Sequence, residues 1–294
     1  MDAPRQDSRL SPRALRKRVL LIVGLGVAAT CAVIFLPPIA QDTAYHNFAD
    51  HRTMLGVPNM LNAISNAPFV VVGILGLVFL LSQGTGQSGR PFIDPWERWP
   101  FVVLFLGVGL TGFGSAYYHL APTTSRLFWD RLPMTIVFMA LFVTIIAERI
   151  GLTAGRRLFW PLVAAGVGSV VYWHLGELGG TGDLRFYGLV QFFPLLAIPL
   201  MLFLFPPRYT RAADLMGAVG LYVLAKLFEH FDVQIFALGG IVSGHTLKHL
   251  ASAAATYFIL QMLRNRCPVE SHHGRWEPAA PVAAAHVEGP SRGG

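Results

Sequence analysis

Hydrophobic and polar positions alternate along this chain in long blocks. Mostly uncharged runs of about twenty residues, the length that spans a hydrocarbon core, are separated by short stretches bearing charge, Pro or Gly. The blocks predict eight helices near Val19–Ala40, Leu61–Leu81, Pro100–Leu120, Leu132–Ala147, Leu158–Leu175, Tyr187–Phe205, Ala213–Phe228 and Ser243–Leu263. Their connections are short, so neighbours are expected to be antiparallel within one bundle. Gly73 and Gly76 in the second helix, and Gly107, Gly109, Gly112 and Gly114 in the third, give backbones room to approach closely. The expected fold is an all-α integral membrane bundle.

Composition agrees: 53% of the 294 residues are apolar and 13% charged, about half the roughly 25% charge of an ordinary soluble domain. A soluble enzyme, a disordered scaffold and a collagen-like chain are excluded. Cys31 and Cys267 lie near opposite ends and form neither a disulfide framework nor a paired-cysteine zinc motif. The formal charge of +7 resides mainly in tails and short loops, which is a topology signal and requires no nucleic-acid partner. Arg5, Arg9, Arg13, Arg16, Lys17 and Arg18 precede the first helix; Arg149, Arg156, Arg157, Arg208, Arg211, Arg264 and Arg266 recur in every second connection. Eight crossings with both termini cytoplasmic is the expectation. The first apolar run also resembles a signal peptide, but it is long for one and lacks a clear cleavage site, so it is taken as a retained anchor. The expected organisation is a basic tail over residues 1–18, an anchor over 19–40, the main bundle over 50–264 and a disordered tail over 268–294. His272 and His273 in that tail are expected in solvent. No obligate protein partner is evident.

Ionisable groups inside a membrane helix need a partner or a function. The third helix ends Gly112-Phe113-Gly114-Ser115-Ala116-Tyr117-Tyr118-His119, with Ser115 and His119 four apart on one face. Trp129-Asp130-Arg131-Leu132-Pro133 opens the fourth, and the eighth opens Ser243-Gly244-His245-Thr246-Leu247-Lys248-His249. These three ends share one membrane surface, the outer one in this orientation. Three neutral imidazoles plus one water is a catalytic zinc arrangement, and zinc lowers its water's pKa to about 7. His119, His245 and His249 are the candidate ligands, Asp130 the proton carrier and Ser115 an oxyanion donor. Plainer roles exist: His119 as an interfacial histidine, Asp130 as a helix N-cap, Ser115 as a small packing residue. Lys226, Glu229 and His230 read as a buried ion pair sooner than a proton relay. The loop from Gly176 to Asp183 reads as a turn or a gate, His174 as a spare ligand, and Trp96, Trp99, Trp129 and Trp160 as interfacial anchors.

These residues resemble the alkaline ceramidase family, within the seven-helix membrane hydrolases that include the adiponectin and progestin receptors. That family's pattern has a serine and histidine four apart, an aspartate eleven residues later and a late histidine pair four apart. Ser115, His119, Asp130, His245 and His249 reproduce it, and Asn62-Ala63-Ile64-Ser65-Asn66 resembles the start of the family's first core helix. The resemblance covers about residues 50–264 and is closest to bacterial members. It implies a seven-transmembrane-helix ceramidase-like bundle plus one extra N-terminal transmembrane helix, placed in a bacterial inner membrane with its site toward the outer face. It implies zinc on His119, His245 and His249, with Ser115 and Asp130 catalytic, and a membrane lipid substrate, ceramide or a related N-acyl lipid, cleaved to a long-chain base and a fatty acid. Asn59 stands where animal members place the last acid of a calcium site, so no calcium is expected. Two rival readings are a receptor-like protein with structural zinc, which needs no Asp130, and a transporter, whose ionisable groups should be spread through the bilayer depth.

Overall fold

The computed structural model describes residues 10–82 and 91–269, so Arg5, Arg9 and most of the predicted C-terminal tail lie outside the described residues. Helix α1 (Pro12–Phe35) is capped by Ser11, whose hydroxyl accepts from the Ala14 amide. It starts seven residues before Val19 and takes up Arg13, Arg16, Lys17 and Arg18. It ends short of Ala40 because Pro37 and Pro38 bias the preceding backbone to an extended form. The remainder comprises α2 (Met60–Ile64), α3 (Ala67–Ser82), α4 (Arg98–Leu120), α5 (Thr124–Arg149), α6 (Leu152–Leu178), α7 (Arg185–Leu204), α8 (Ala212–His230), α9 (Asp232–Ala237) and α10 (Gly244–Asn265). The described residues contain no β-strand.

Six helical stretches are long and apolar enough to cross a membrane by length and composition: α1, Met60–Ser82, Pro95–Leu120, α5, α6 and α7. The shorter or more charged α8 and α10 pack against each other, and α10 also contacts α3. Their Lys226, Glu229 and Lys248 pair internally. Large apolar side chains such as Val78, Leu81, Phe113, Trp160, Leu196 and Phe203 face outward, which suits hydrocarbon. The chain is an all-α membrane bundle.

Close backbone approach builds the centre. A Cβ on Gly73 would lie 2.6 Å from the Gly109 nitrogen, and one on Gly76 would strike the Phe105 ring. Phe101, Leu104, Phe105, Ile145, Met201, Leu260 and Leu263 fill the core between α3, α4, α5, α7 and α10. α1 leans on α7, with Gly26 under the Phe193 ring. Arg18 donates to the Leu204 carbonyl and Arg185 to the Leu36 carbonyl.

Two departures from regular helix shape the site. The predicted helix over Leu61–Leu81 is interrupted after α2, because Ser65 Oγ and Asn66 Nδ2 both donate to the Asn62 carbonyl, at 3.1 and 2.8 Å. Such side chains compete with the helical ladder. The fourth predicted helix begins eight residues before Leu132: Thr123 caps α5 by accepting from the Arg126 amide. Asp130 is therefore not an N-cap but lies inside the helix, and Pro133 is internal. Pro133 has no N–H for the Trp129 carbonyl. That carbonyl points at Gly114, whose Cβ would stand 2.0 Å from it.

Candidate metal centre and apolar cavity

One end of the bundle is closed by an irregular strap from Ile39 to Asn59. The Gln41 amide donates to Glu177 Oε1 at 2.9 Å, and the Ala49 amide to Asp232 Oδ2 at 2.9 Å. Arg52 binds Asp50 and also donates to the Gly240 and Ile241 carbonyls, each at 2.7 Å. The Arg52 guanidinium holds the Asp50 carboxyl below the usual carboxylate range. Glu177, which lies in the last turn of α6 and not in the loop expected from Gly176, thus anchors the strap.

Beneath the strap the three predicted histidines meet. Their ligand-capable nitrogens all lie within 4.8 Å of one another, and all three residues are buried. Ring centroids are 4.8–4.9 Å apart, and Nε2 of His119 and His245 are separated by 3.3 Å. Phe48 of the strap covers His119 and His245 at centroid distances of 4.7 and 4.4 Å.

Neighbouring groups orient these rings. Ser65 gives its hydroxyl proton to the Asn62 carbonyl, so toward His249 Nδ1, 2.8 Å away, it accepts. His249 Nδ1 then carries the hydrogen and Nε2 is free to ligate. Asp232 accepts from the His245 amide at 2.6 Å, fixing the start of α10. Asn59, at φ +48°, donates from Nδ2 to the His119 carbonyl at 2.9 Å. His119 Nδ1 is buried without a partner.

The donor set fits a borderline-soft divalent ion. Nitrogens bound tetrahedrally at about 2.0–2.1 Å stand about 3.3–3.4 Å apart, and the His119–His245 separation of 3.3 Å matches that edge. The cluster could hold a metal ion.

Asp130 and Ser115 are buried and line the same cavity as His249. Together with His249, Asn66 and Lys248 they form the polar head of a cavity of about 1050 Å³, counting its open mouth. Its walls continue along Val137, Leu141, Ile198, Leu215, Val219 and Ile259. From His249 to Ile259 this is about 15 Å of helix.

Other predicted residues fall elsewhere. His174 stacks on Phe128, 4.6 Å between centroids, and does not join the cluster. Glu229 pairs with both Lys226 and Lys248, while His230 rests on Phe231. His272 and His273 lie outside the described residues. Phe48, His46 and Asp232 were not singled out from the sequence. They act through long-range contacts of an aperiodic segment, which leaves no local pattern to read.

Fold and site define a membrane-embedded helical bundle with a buried three-histidine centre at the head of an apolar cavity. The profile of the Ceramidase family matches residues 41–191, and the chain belongs to that family, which places it among hydrolases of amide bonds. Comparison with curated proteins and with solved structures returned no match.

Proposed function

We propose that this protein is a zinc-dependent membrane amidohydrolase that cleaves ceramide or a related N-acyl lipid to a long-chain base and a fatty acid. The observation that carries this reading is the convergence of His119, His245 and His249 beside Asp130 and Ser115, at the polar head of an otherwise apolar cavity. The acyl chain lies along the apolar walls, which orients the amide toward the histidines. His119, His245 and His249 would hold a zinc ion, which would supply Lewis acidity toward the amide carbonyl and a water acidified to near neutral pH.

Asp130 receives the proton of the attacking water and returns it to the amide nitrogen as the carbon–nitrogen bond breaks. The Ser115 hydroxyl donates to the oxygen that gains charge. Phe48 and the strap keep bulk water from the ligands. The eight-crossing arrangement in a bacterial inner membrane, with cytoplasmic termini and the site toward the outer face, is part of the same proposal. The basic residues of alternate connections support it.

The test is incubation of purified protein with a panel of N-acyl lipids, with and without a zinc chelator, followed by mass spectrometry of released fatty acid. Chelator-sensitive release is expected. Wild-type turnover in both His245→Ala and Asp130→Ala rejects the mechanism.

A further inference from the structure

Inward of its polar head the cavity is apolar except at one level. Gln191 of α7 and Tyr222 of α8 both line it there. Gln191 is only 6% exposed, and its Nε2 donates to the Tyr222 hydroxyl at 2.5 Å. The Tyr222 ring meets Phe138 of α5 edge-on, with 5.4 Å between centroids. Ser252 of α10 lines the same space. Thr111 and Thr256 also reach the cavity, but each gives its hydroxyl proton to a carbonyl of its own helix, Gly107 or Ala253, at 2.8 Å.

The Gln191–Tyr222 pair differs because one bond cannot satisfy both groups. With Nε2 donating, the Gln191 carbonyl oxygen and the Tyr222 hydroxyl proton have no partner among the described residues. With the amide turned over, Tyr222 donates to that oxygen, and an amide N–H and a tyrosine lone pair are left instead. Either way the pair keeps one donor and one acceptor for the cavity. The Ser252 hydroxyl likewise has no partner among the described residues. A plain hydrocarbon chain laid over these groups strands them out of water, which costs binding energy. A hydroxyl group, itself donor and acceptor, satisfies them.

Helix rise sets the depth. Ser252 follows His249 by three residues, about 4.5 Å along α10. Phe138, against which Tyr222 rests, follows Asp130 by eight, about 12 Å along α5. The polar level therefore lies one to two turns inward of the head, roughly the reach of four to nine methylenes.

We propose that Gln191, Tyr222 and Ser252 form a hydroxyl subsite, and that the preferred N-acyl lipid carries a hydroxyl at roughly the sixth carbon of its acyl chain. The inference rests on the hydrolase reading and deepens it by naming the acyl class.

The experiment uses the full chain in lipid nanodiscs and four N-acylsphinganines that differ only in the acyl group. One carries plain palmitoyl; the others carry palmitoyl with a hydroxyl on the second, the sixth or the last carbon. Released fatty acid is measured by mass spectrometry on the zinc-loaded protein. Binding is measured on the chelated protein by displacement of a fluorescent N-acyl lipid.

The sixth-carbon lipid is expected to exceed the plain one by about tenfold in both readouts, the scale of one to two neutral hydrogen bonds. Tyr222→Phe keeps the ring on Phe138 and removes the hydroxyl; Gln191→Leu keeps the bulk and removes the amide. Each should bring the ratio close to unity, and Ser252→Ala should lower it in part.

Equal handling of all four lipids by the wild type overturns the subsite and leaves the hydrolase standing. So does a preference for the second-carbon or last-carbon lipid. A ratio that survives both Tyr222→Phe and Gln191→Leu, while their thermal midpoints fall, assigns the pair to bridging α7 and α8 and also overturns it. Tyr222-dependent binding of the sixth-carbon lipid, without release of fatty acid from any of the four, rejects the hydrolase and keeps the subsite.

Discussion

His119 Nε2 and His245 Nε2 face each other at 3.3 Å although 126 positions separate them in the chain. Two neutral imidazoles at this distance can share either a proton, as an N–H···N hydrogen bond, or a metal ion, and only the ion also draws in the third ring. Zinc should therefore stabilise the chelated protein by about 2.7 kcal/mol at a hundredfold excess over Kd, growing with the logarithm of free zinc and seen as a raised thermal midpoint. His245→Ala should abolish that shift. A zinc titration followed by scanning fluorimetry checks it, and a shift retained in His245→Ala counts against a shared ion.

Ser65 sets the tautomer of His249 by accepting from Nδ1 while donating to the Asn62 carbonyl. Ser65→Ala removes this acceptor without touching a ligand. Zinc affinity should fall by 10–100-fold, the usual cost of losing an outer-sphere partner. Competition with a fluorescent chelator measures it, and unchanged affinity would show that the hydroxyl does not orient the ring.

Asp130→Asn keeps the shape of the side chain and removes its basicity. Turnover of an N-acyl lipid should drop by about 10²–10⁴-fold, the range of a positioned proton-transfer group. Bound zinc, counted by plasma mass spectrometry, should stay at the wild-type level. Loss of the ion together with the rate would instead make Asp130 a determinant of metal binding.

Most of the helices were legible because uncharged runs of membrane length have one economical structure. The histidine and aspartate spacings were legible because residues four apart share a helix face. Asp130 illustrates the limit. The string Asp130-Arg131-Leu132-Pro133 reads as a cap followed by Pro near a helix start, yet the helix begins at Thr124. Pro133 is tolerated inside because the carbonyl it frees, on Trp129, is accommodated by Gly114 of another helix. The break at Ser65 and Asn66 was hidden within an apolar run. The strap was hidden for another reason: Phe48, Ala49 and Arg52 are placed by Asp232, Gly240 and the histidine rings, all distant in sequence.

Gly114 is accordingly a sensitive position. A methyl group there meets the Trp129 carbonyl oxygen at 2.0 Å and lies 3.4 Å from the Asp130 amide nitrogen. Backbone cannot yield as a flexible side chain does, so α4 and α5 must separate. Gly114→Ala should cost about 1–3 kcal/mol, as overpacking does, and should lower turnover by shifting Asp130. Gly24→Ala on α1 meets nothing within 4 Å and serves as the control. Midpoints for the two variants, measured side by side, should differ by several degrees.

The strap should loosen in mild acid through His46. Its ring lies 2.8 Å from the Tyr118 hydroxyl through Nδ1 and 3.1 Å from Thr124 Oγ1 through Nε2. Burial, and then the positive charge of Arg131, push this imidazole below its ordinary value of 6.5. The freed strap therefore binds the proton more readily than the docked strap. The sign follows: docking is at full strength above about pH 6.5 and weakens as pH falls through that value, because protonation favours release. Asp50 leaves this window undisturbed, since Arg52 keeps it charged to lower pH. Hydrogen exchange over residues 43–50, corrected for intrinsic rates, should show protection declining from pH 7 to pH 5 in the wild type. His46→Gln cannot titrate and should give a flat profile. Parallel slopes in the two proteins would assign the acid sensitivity to another group.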